Sequence, residues 1–486
     1  MSENDNLLTM EQAIERLSTT RSTFYRWLRS GRIKGHKVGR QWRFTEADVS
    51  RFLHGEEPSI EFPNADDLIR TLFDASGHKD DIPEGPSGPV RVVNAMLLCC
   101  IRIGASHLFL DIDNFTGPRV SLRIDGLVRD ITTYDTRMHK PLIERIKQMC
   151  RMDVNETQLP QDGRFRMNIG EDRDHWLDFT VSIFPTPHGE SCTLSVRDPA
   201  AAHVDFNTLG LGESNRRRLE TSLDRTNGLF LIGGPAASGK TVSAYSIINV
   251  LNTTERRVLS IEDPGGAMPV EGVVQALMNL RTMSDKTAYV RAAARQNYDV
   301  LHVGYTGSSE TLSELMEAGL SKHVITTMHF DDAISGLMLV ANWVDQDRLT
   351  GDGVALISAQ RLARKLCPAC CEPVELTDQD QAFLEAECSV NLTETPSGGF
   401  HRAVGCELCH GGYKGRIGLF ETLLPDQPLY DAMMQGGGYE ELRTAAISSG
   451  METLLMDGLR KASDGLICLS EVRRVCANLL PAITTQ

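Results

Sequence analysis

Gly234-Pro235-Ala236-Ala237-Ser238-Gly239-Lys240-Thr241 decides the fold of this chain. It fits G-x-x-x-x-G-K-[ST] at every fixed position, the pattern of a phosphate-binding loop. The run before it, GLFLIGG (228–234), is continuously apolar and reads as a buried strand. The run after it, TVSAYSIINVLN (241–252), reads as a helix. Strand, glycine turn and helix N-terminus together aim backbone N–H groups at phosphates. In such a loop Gly234, Ser238 and Gly239 shape the cradle, Lys240 reaches the β- and γ-phosphates of ATP, and Thr241 holds Mg²⁺. A chance match would lack the strand and the helix on either side.

Further strands with the same apolar character follow. RRVLSIEDP (256–264) ends in Glu262 and Asp263. YDVLHVGY (298–305) runs into Gly304-Tyr305-Thr306-Gly307, where no carboxylate stands. HVITTMHFDDA (323–333) ends at His329, Asp331 and Asp332. Strands that alternate with helical stretches predict an α/β domain with a parallel sheet. The acids that support Mg²⁺ and the attacking water in phosphoryl transfer are expected at the ends of these strands. That makes Glu262 and Asp263 the catalytic candidates.

Beyond this block, Cys367-Pro-Ala-Cys370 and Cys406-Glu-Leu-Cys409 form two C-x₂-C knuckles. Four thiolates so spaced suit tetrahedral Zn²⁺ with no open position, a structural site. Cys371 and Cys388 stand near enough to substitute as ligands. The other six of the twelve cysteines have no metal spacing and are expected to be buried as small hydrophobes.

The 486 residues carry a net charge of −15, but unevenly. Residues 1–53 hold ten Lys/Arg against six Asp/Glu, a net of +4, so the remainder sums to −19. The acidic body repels nucleic acid; the basic front is a separate unit. In that front, Thr9-Met10-Glu11-Gln12 reads as a capping box that opens a short helix. Thr20 caps a second helix, on which Phe24, Trp27 and Leu28 share a face. Strand-like runs around Ile33–Val38 and Gln41–Phe44 follow, then a last helix opened by Thr45. Two helices across a tight turn with a hairpin behind them make a helix-turn-helix with a wing. Residues 54–90, rich in Pro, Gly, Asp and Glu, read as a linker with at most one short helix near Asp66–Phe73.

The longest apolar run, Ala95 to Ile101, is far shorter than the ~20 residues needed to span a bilayer. The start of the chain does not resemble a signal peptide. A cytoplasmic protein without a transmembrane segment is the expectation.

Over residues 1–53 the sequence resembles the excisionase/MerR-like winged-helix family, through TMEQAIERL (9–17), STTRSTFYRWLRSGRIKGHKVGRQWRF (18–44) and TEADVSRFL (45–53). The resemblance implies that Arg21, Ser22, Tyr25 and Arg26 face DNA while Arg40 and Arg43 hold phosphates. An adaptor that keeps the fold and binds protein is the alternative.

From about residue 90 to 480 the chain resembles the ATPases of type II secretion and type IV pilus assembly (the GspE/PulE/PilB group). IGASHLFLDI, SLRIDGLVRD, LIERIKQMCRMDVNE, LPQDGRFRM and VSIFPTPHGESCTLSVRD follow the family's regulatory domain in order. The phosphate loop, IEDP, VRAAARQNYDVLHVGY, TTMHFDDA and ISAQRLARKLCPAC follow its motor domain. The resemblance implies a winged helix-turn-helix (1–53), a linker (54–90), a regulatory α/β domain (91–205) and a RecA-like P-loop domain (206–486) with a zinc insert (about 367–409) and a helical tail. It also implies a hexamer, docking on an inner-membrane platform protein from the cytoplasmic side, and a γ-phosphate-sensing role for His329.

The chain departs from the family where the chemistry is done. The family's V-G-E-I-R-D is Val303-Gly304-Tyr305-Thr306-Gly307-Ser308 here, so glutamate has become Tyr305 and arginine Gly307. The second glutamate of E-D-P-x-E has become Gly266. Thr180 and Ser121 stand where the regulatory domain carries arginines. A phenol, with an ordinary pKa near 10, is no general base at neutral pH, and loss of such a base removes about 10²–10⁴ in rate. The first expectation is therefore an ATP-binding protein with weak or absent hydrolysis. An active motor, with Glu262 or Asp263 serving or Glu271 or Asp331 moving in, is the second. A nucleotide-sensing, DNA-binding regulator is the third.

Overall fold

The computed structural model describes residues 7–29, 33, 36–38, 41–53, 65–77, 88–169, 176–199, 204–263, 267–278, 285–344, 353–387 and 399–477. By its internal contacts the chain divides into two compact units.

The first unit begins with β1 (Leu7–Thr9) and α1 (Met10–Arg16). The capping box is present: the Thr9 hydroxyl accepts from Gln12 N at 3.3 Å, and the Gln12 side chain accepts from Thr9 N at 2.8 Å. Helix α2 (Arg21–Arg29), strands β2 (His36–Val38) and β3 (Gln41–Thr45) and helix α3 (Glu46–Leu53) complete a three-stranded β1-β3-β2 sheet on three helices. Phe24 and Phe44, fully buried, meet edge to face at 5.0 Å, a geometry favoured by the ring quadrupole. Strand β1 was not anticipated from sequence; three residues carry no periodicity to read.

The expected linker helix runs over α4 (Ala65–Ala75) and is a packed element. Leu68, Ile69, Leu72 and Phe73 recur at helical spacing and are buried. They meet α5 (Pro89–Ile103), where the Cys99 thiol donates to the Leu72 carbonyl at 3.1 Å. A six-stranded sheet follows in the order β6-β5-β4-β9-β8-β7. Its strands are β4 (His107–Asp113), β5 (Gly117–Ile124), β6 (Leu127–Thr133), β7 (Gln161–Asn168), β8 (Trp176–Thr186) and β9 (Gly189–Arg197). Helix α6 (Thr136–Met149) separates β6 from β7. The alternating burial of β8 marks a sheet with one covered face.

The second unit is built on a seven-stranded sheet ordered β12-β11-β13-β14-β10-β15-β18. Its strands are β10 (Gly228–Gly233), β11 (Val258–Glu262), β12 (Val273–Leu277), β13 (Val300–Tyr305), β14 (His323–Met328), β15 (Val354–Leu366) and β18 (Tyr413–Leu423). All neighbours are parallel except β15 and β18. The uninterrupted burial of β10, β11 and β14 is what a parallel sheet covered on both faces demands. Helices α7 (Glu213–Leu223), α8 (Lys240–Leu251), α9 (Lys286–Ala294), α10 (Ser309–Gly319) and α11 (Ala333–Trp343) alternate with these strands. Because β10, β11, β13 and β14 are parallel, Gly233, Glu262, Tyr305 and Met328 all end at one edge, the edge where α/β sheets bind ligands. A small β16 (Glu372–Pro373) and β17 (His401–Arg402) pair beside the cysteine knuckles. No helix among the described residues is long and apolar enough to cross a membrane.

Candidate functional site

The phosphate loop leaves β10 at Gly233 and enters α8 at Lys240. Gly234 sits at φ 148° in a position no other residue would fill comfortably. A Cβ there would lie 2.5 Å from both the Gln360 carbonyl oxygen and Ser238 Oγ. Ala237, at the exposed tip, takes φ 60°, the left-handed conformation that non-glycine residues hold at a cost and that recurs at functional loops. Strand β15 braces the loop from beneath: Gln360 Nε2 donates to the Ser238 carbonyl at 2.7 Å. Neighbouring Arg361 donates to the Gln360 carbonyl and to Asp331. Sequence reasoning did not single out Gln360 or Arg361; two polar residues inside a buried strand were the available signal.

Lys240 is folded back on its own loop, with Nζ donating to the carbonyls of Gly234 at 2.8 Å and Pro235 at 2.6 Å. Burial, helped by the charge of Arg361, lowers its pKa to about 8. Thr241 is exposed at the first turn of α8. His329, just past β14, meets the same Gly234 carbonyl through Nδ1 at 2.9 Å. Lysine and histidine thus meet the loop at the same Gly234 carbonyl.

The next two strand ends are arranged differently. Glu262 is 2% exposed and lies within a closed set of donors. Tyr245 OH reaches its two oxygens at 2.7 and 2.6 Å, Ser260 Oγ donates at 2.6 Å and Gln275 Nε2 at 3.1 Å. Buried His302 meets Ser260 Oγ at 2.9 Å, and burial lowers its pKa, keeping it neutral. A carboxylate so satisfied is stable in the core because its hydrogen bonds replace water. It is not offered to a nucleotide. Tyr245 was not identified from sequence, and a lone tyrosine on a buried helix reads as packing.

Asp263 pairs with Lys286 at 3.1 Å, and the same Nζ donates to the Tyr305 carbonyl at 2.5 Å. Tyr305 is 44% exposed and packs against His329, with ring centroids 4.7 Å apart and planes tilted by 44°. Gly307 makes room for that ring, since a Cβ at 307 would lie 3.0 Å from Tyr305 Cε1. The exchanges at 305 and 307 are thus sterically coupled. Gly266 lies outside the described residues. Of the two suggested stand-in acids, Asp331 is exposed and paired with Arg361 at 3.1 Å, while Glu271 precedes the start of β12, at the opposite edge of the parallel sheet. Among the described residues the acids at this edge are buried or ion-paired, so they do not present a free carboxylate for a carboxylate-supported metal site.

The cysteine clip does fit a metal. Cys367, Cys370, Cys406 and Cys409 place their sulfurs within 4.8 Å of one another. Sγ–Sγ separations of 3.9, 3.7 and 3.6 Å match the ~3.8 Å edge of a tetrahedron built on Zn–S bonds of ~2.3 Å. Cys371 is not in the cluster, and Cys388 lies outside the described residues.

In the front module Arg21 and Ser22 are exposed on the first turn of α2, and Tyr25 follows at 36% exposure on the same helix. Arg43 is half-buried on β3 with Nη1 on the Trp42 carbonyl at 3.4 Å. The side chains of Arg26 and Arg40 lie outside the described residues. In the regulatory positions, Ser121 is buried and donates to Asp130 at 2.6 Å, while Thr180 is half-buried on β8.

Residues 84–474 match the family described as Type II/IV secretion system protein, and residues 7–56 match a Helix-turn-helix domain. The sequence is 30% identical over 417 residues to the type II secretion system ATPase E of Vibrio cholerae, covering 85% of this chain and 78% of that one. It is 32% identical over 387 residues to the type IV pilus assembly ATPase PilB of Acinetobacter baylyi, covering 79% of this chain but only 66% of the relative. Among solved structures, the ATPase DotB of Legionella pneumophila superposes with a TM-score of 0.57 at 17% identity, over 82% of this chain and 98% of that one. At that identity the likeness concerns the fold, a RecA-like α/β core.

Proposed function

The chain belongs to the type II/IV secretion system protein family, and from that premise we propose that it is an oligomeric ATP-binding member with weak or absent hydrolysis, joined to a DNA-binding helix-turn-helix. One observation supports this above others: at a single sheet edge the phosphate cradle is complete while, among the described residues, every nearby acid is replaced, buried or paired. Binding needs only the cradle, the α8 N-terminus and Lys240. Turnover to ADP and phosphate needs a group that orients water and charges that stabilise the transition state. Glu262 is sealed from that role, and His329, packed against Tyr305, senses the phosphate side without supplying a base.

In this reading assembly is hexameric, as the resemblance implies, with Zn²⁺ holding the cysteine clip. The protein works in the cytoplasm and docks peripherally on an inner-membrane platform protein of a pilus or secretion system. Arg21, Ser22 and Tyr25 present a polar, basic helix start suited to a DNA groove, and several copies in one oligomer would multiply the few phosphate contacts of each.

Titration of the purified protein with ATP, beside a steady-state phosphate-release assay, tests the reading. Saturable binding that Lys240→Ala abolishes, with turnover at least about 10²-fold below that of an active relative assayed in parallel, is the expected result. Robust turnover abolished by Lys240→Ala would instead establish the motor reading. For the front module, DNA affinity of the full chain should fall steeply with salt, and flat salt dependence would remove the DNA assignment.

A further inference from the structure

Lys286 occupies a place that the nucleotide-binding reading does not use. It stands at the first position of α9, with its side chain 15% exposed. Its ammonium joins the ends of two adjacent parallel strands, donating to Asp263 Oδ2 just past β11 and to the Tyr305 carbonyl at the end of β13. From there a line of direct contacts reaches the phosphate loop: the Tyr305 ring packs at a tilt against His329, and His329 meets the Gly234 carbonyl. In a phosphoryl-transfer site these strand ends carry the acids that anchor a divalent cation. Here they carry a cation already, covalently part of the chain, and the remaining free acid is neutralised by it.

We propose that Lys286 is a built-in counter-charge that makes ATP binding by this chain independent of divalent metal. The proposal rests on the nucleotide-binding reading above and adds to it what the ligand is: the metal-free nucleotide binds as well as its magnesium complex. Two physical effects support it. A hard cation such as Mg²⁺ needs oxygen ligands, usually a carboxylate, and pairing with Lys286 takes Asp263 out of that role. An unpaired Asp263, by contrast, would repel the phosphates, and the ammonium cancels that repulsion.

The experiment measures ATP affinity of the full-length protein in excess magnesium chloride and in excess EDTA at matched ionic strength. For the wild type the two dissociation constants should agree within about threefold. Lys286→Ala frees Asp263 and should raise the EDTA-to-magnesium ratio by about tenfold or more, whereas Lys286→Arg, which keeps the charge, should leave it near one. Thermal melts confirm that the variants fold, and the wild-type ratio stands whether or not they do. Binding that survives only with magnesium overturns the proposal and leaves the nucleotide-binding reading intact. A ratio unmoved by Lys286→Ala in a folded protein overturns the role of Lys286. No binding in either buffer overturns the nucleotide-binding reading itself.

Discussion

Two stretches of the same sheet edge have been kept to different standards. Around β10 the loop is closed by backbone geometry: Gly234 fits where nothing larger would, and Gln360 ties Ser238 from below. Around β11 and β13 the backbone is equally well paired, with Ile261 opposite Val303 and a register shift on the other side at Gly304, yet the side chains have been exchanged. On the proposed reading, holding a phosphate and transforming it are separable properties of one fold. The first resides in main-chain N–H groups and a lysine, the second in a few carboxylates whose loss leaves the strands undisturbed.

The comparison predicts its largest effect at the cradle. Gly234→Ala drives a methyl against the Gln360 carbonyl and Ser238 at 2.5 Å in a left-handed backbone, so the loop must reshape. ATP affinity should fall about a hundredfold in a titration, while circular dichroism stays unchanged. Retained affinity would mean that the loop does not hold the phosphates.

On the other stretch, Tyr245→Phe removes a donor from buried Glu262 and should lower stability by about 1–3 kcal/mol in chemical denaturation. ATP affinity should stay within about twofold, since the set of donors faces the core. A variant that lost affinity and kept stability would instead place Glu262 in the binding site.

A smaller effect is expected from pH. Lys240 carries its proton below about 8 and loses it above, because burial and Arg361 disfavour the charged form. Attraction to phosphate is therefore full near neutrality and declines as pH rises through that value. Bound phosphate pulls the pKa upward, so the loss should reach at most about tenfold per pH unit. Affinity measured across this range should decline in the wild type and remain flat in Lys240→Arg.

Much of the cradle was legible in the sequence because its motif is local: eight consecutive residues specify strand, turn and helix. The cysteine clip was legible for the same reason, as two short knuckles. What escaped was contributed from a distance. Gln360 reaches Ser238 across 122 positions and Lys286 reaches Asp263 across 23, and neither spacing carries a period or motif. The packed role of α4 was hidden by the Pro- and Gly-rich residues on either side of it. The missing carboxylate at 305 could be read, but its pairing with Gly307 could not, because only the fold brings the ring over the vacant Cβ position.

The smallest effect is the sharpest test of how Tyr305 acts. Its ring packs at a tilt against His329, and its hydroxyl makes no hydrogen bond to a described residue. If the residue serves by shape, covering the histidine and filling the space over Gly307, then Tyr305→Phe retains everything and should alter ATP affinity and phosphate release by less than about twofold. Tyr305→Ala removes the ring contact, which is worth about 0.5–1.5 kcal/mol, and should change affinity by about two- to tenfold as His329 loses its support. The ordering of the two variants carries the information. A phenylalanine variant that behaved like alanine would make the hydroxyl the active element, give the replaced carboxylate a chemical successor, and close much of the gap between the two stretches of the edge.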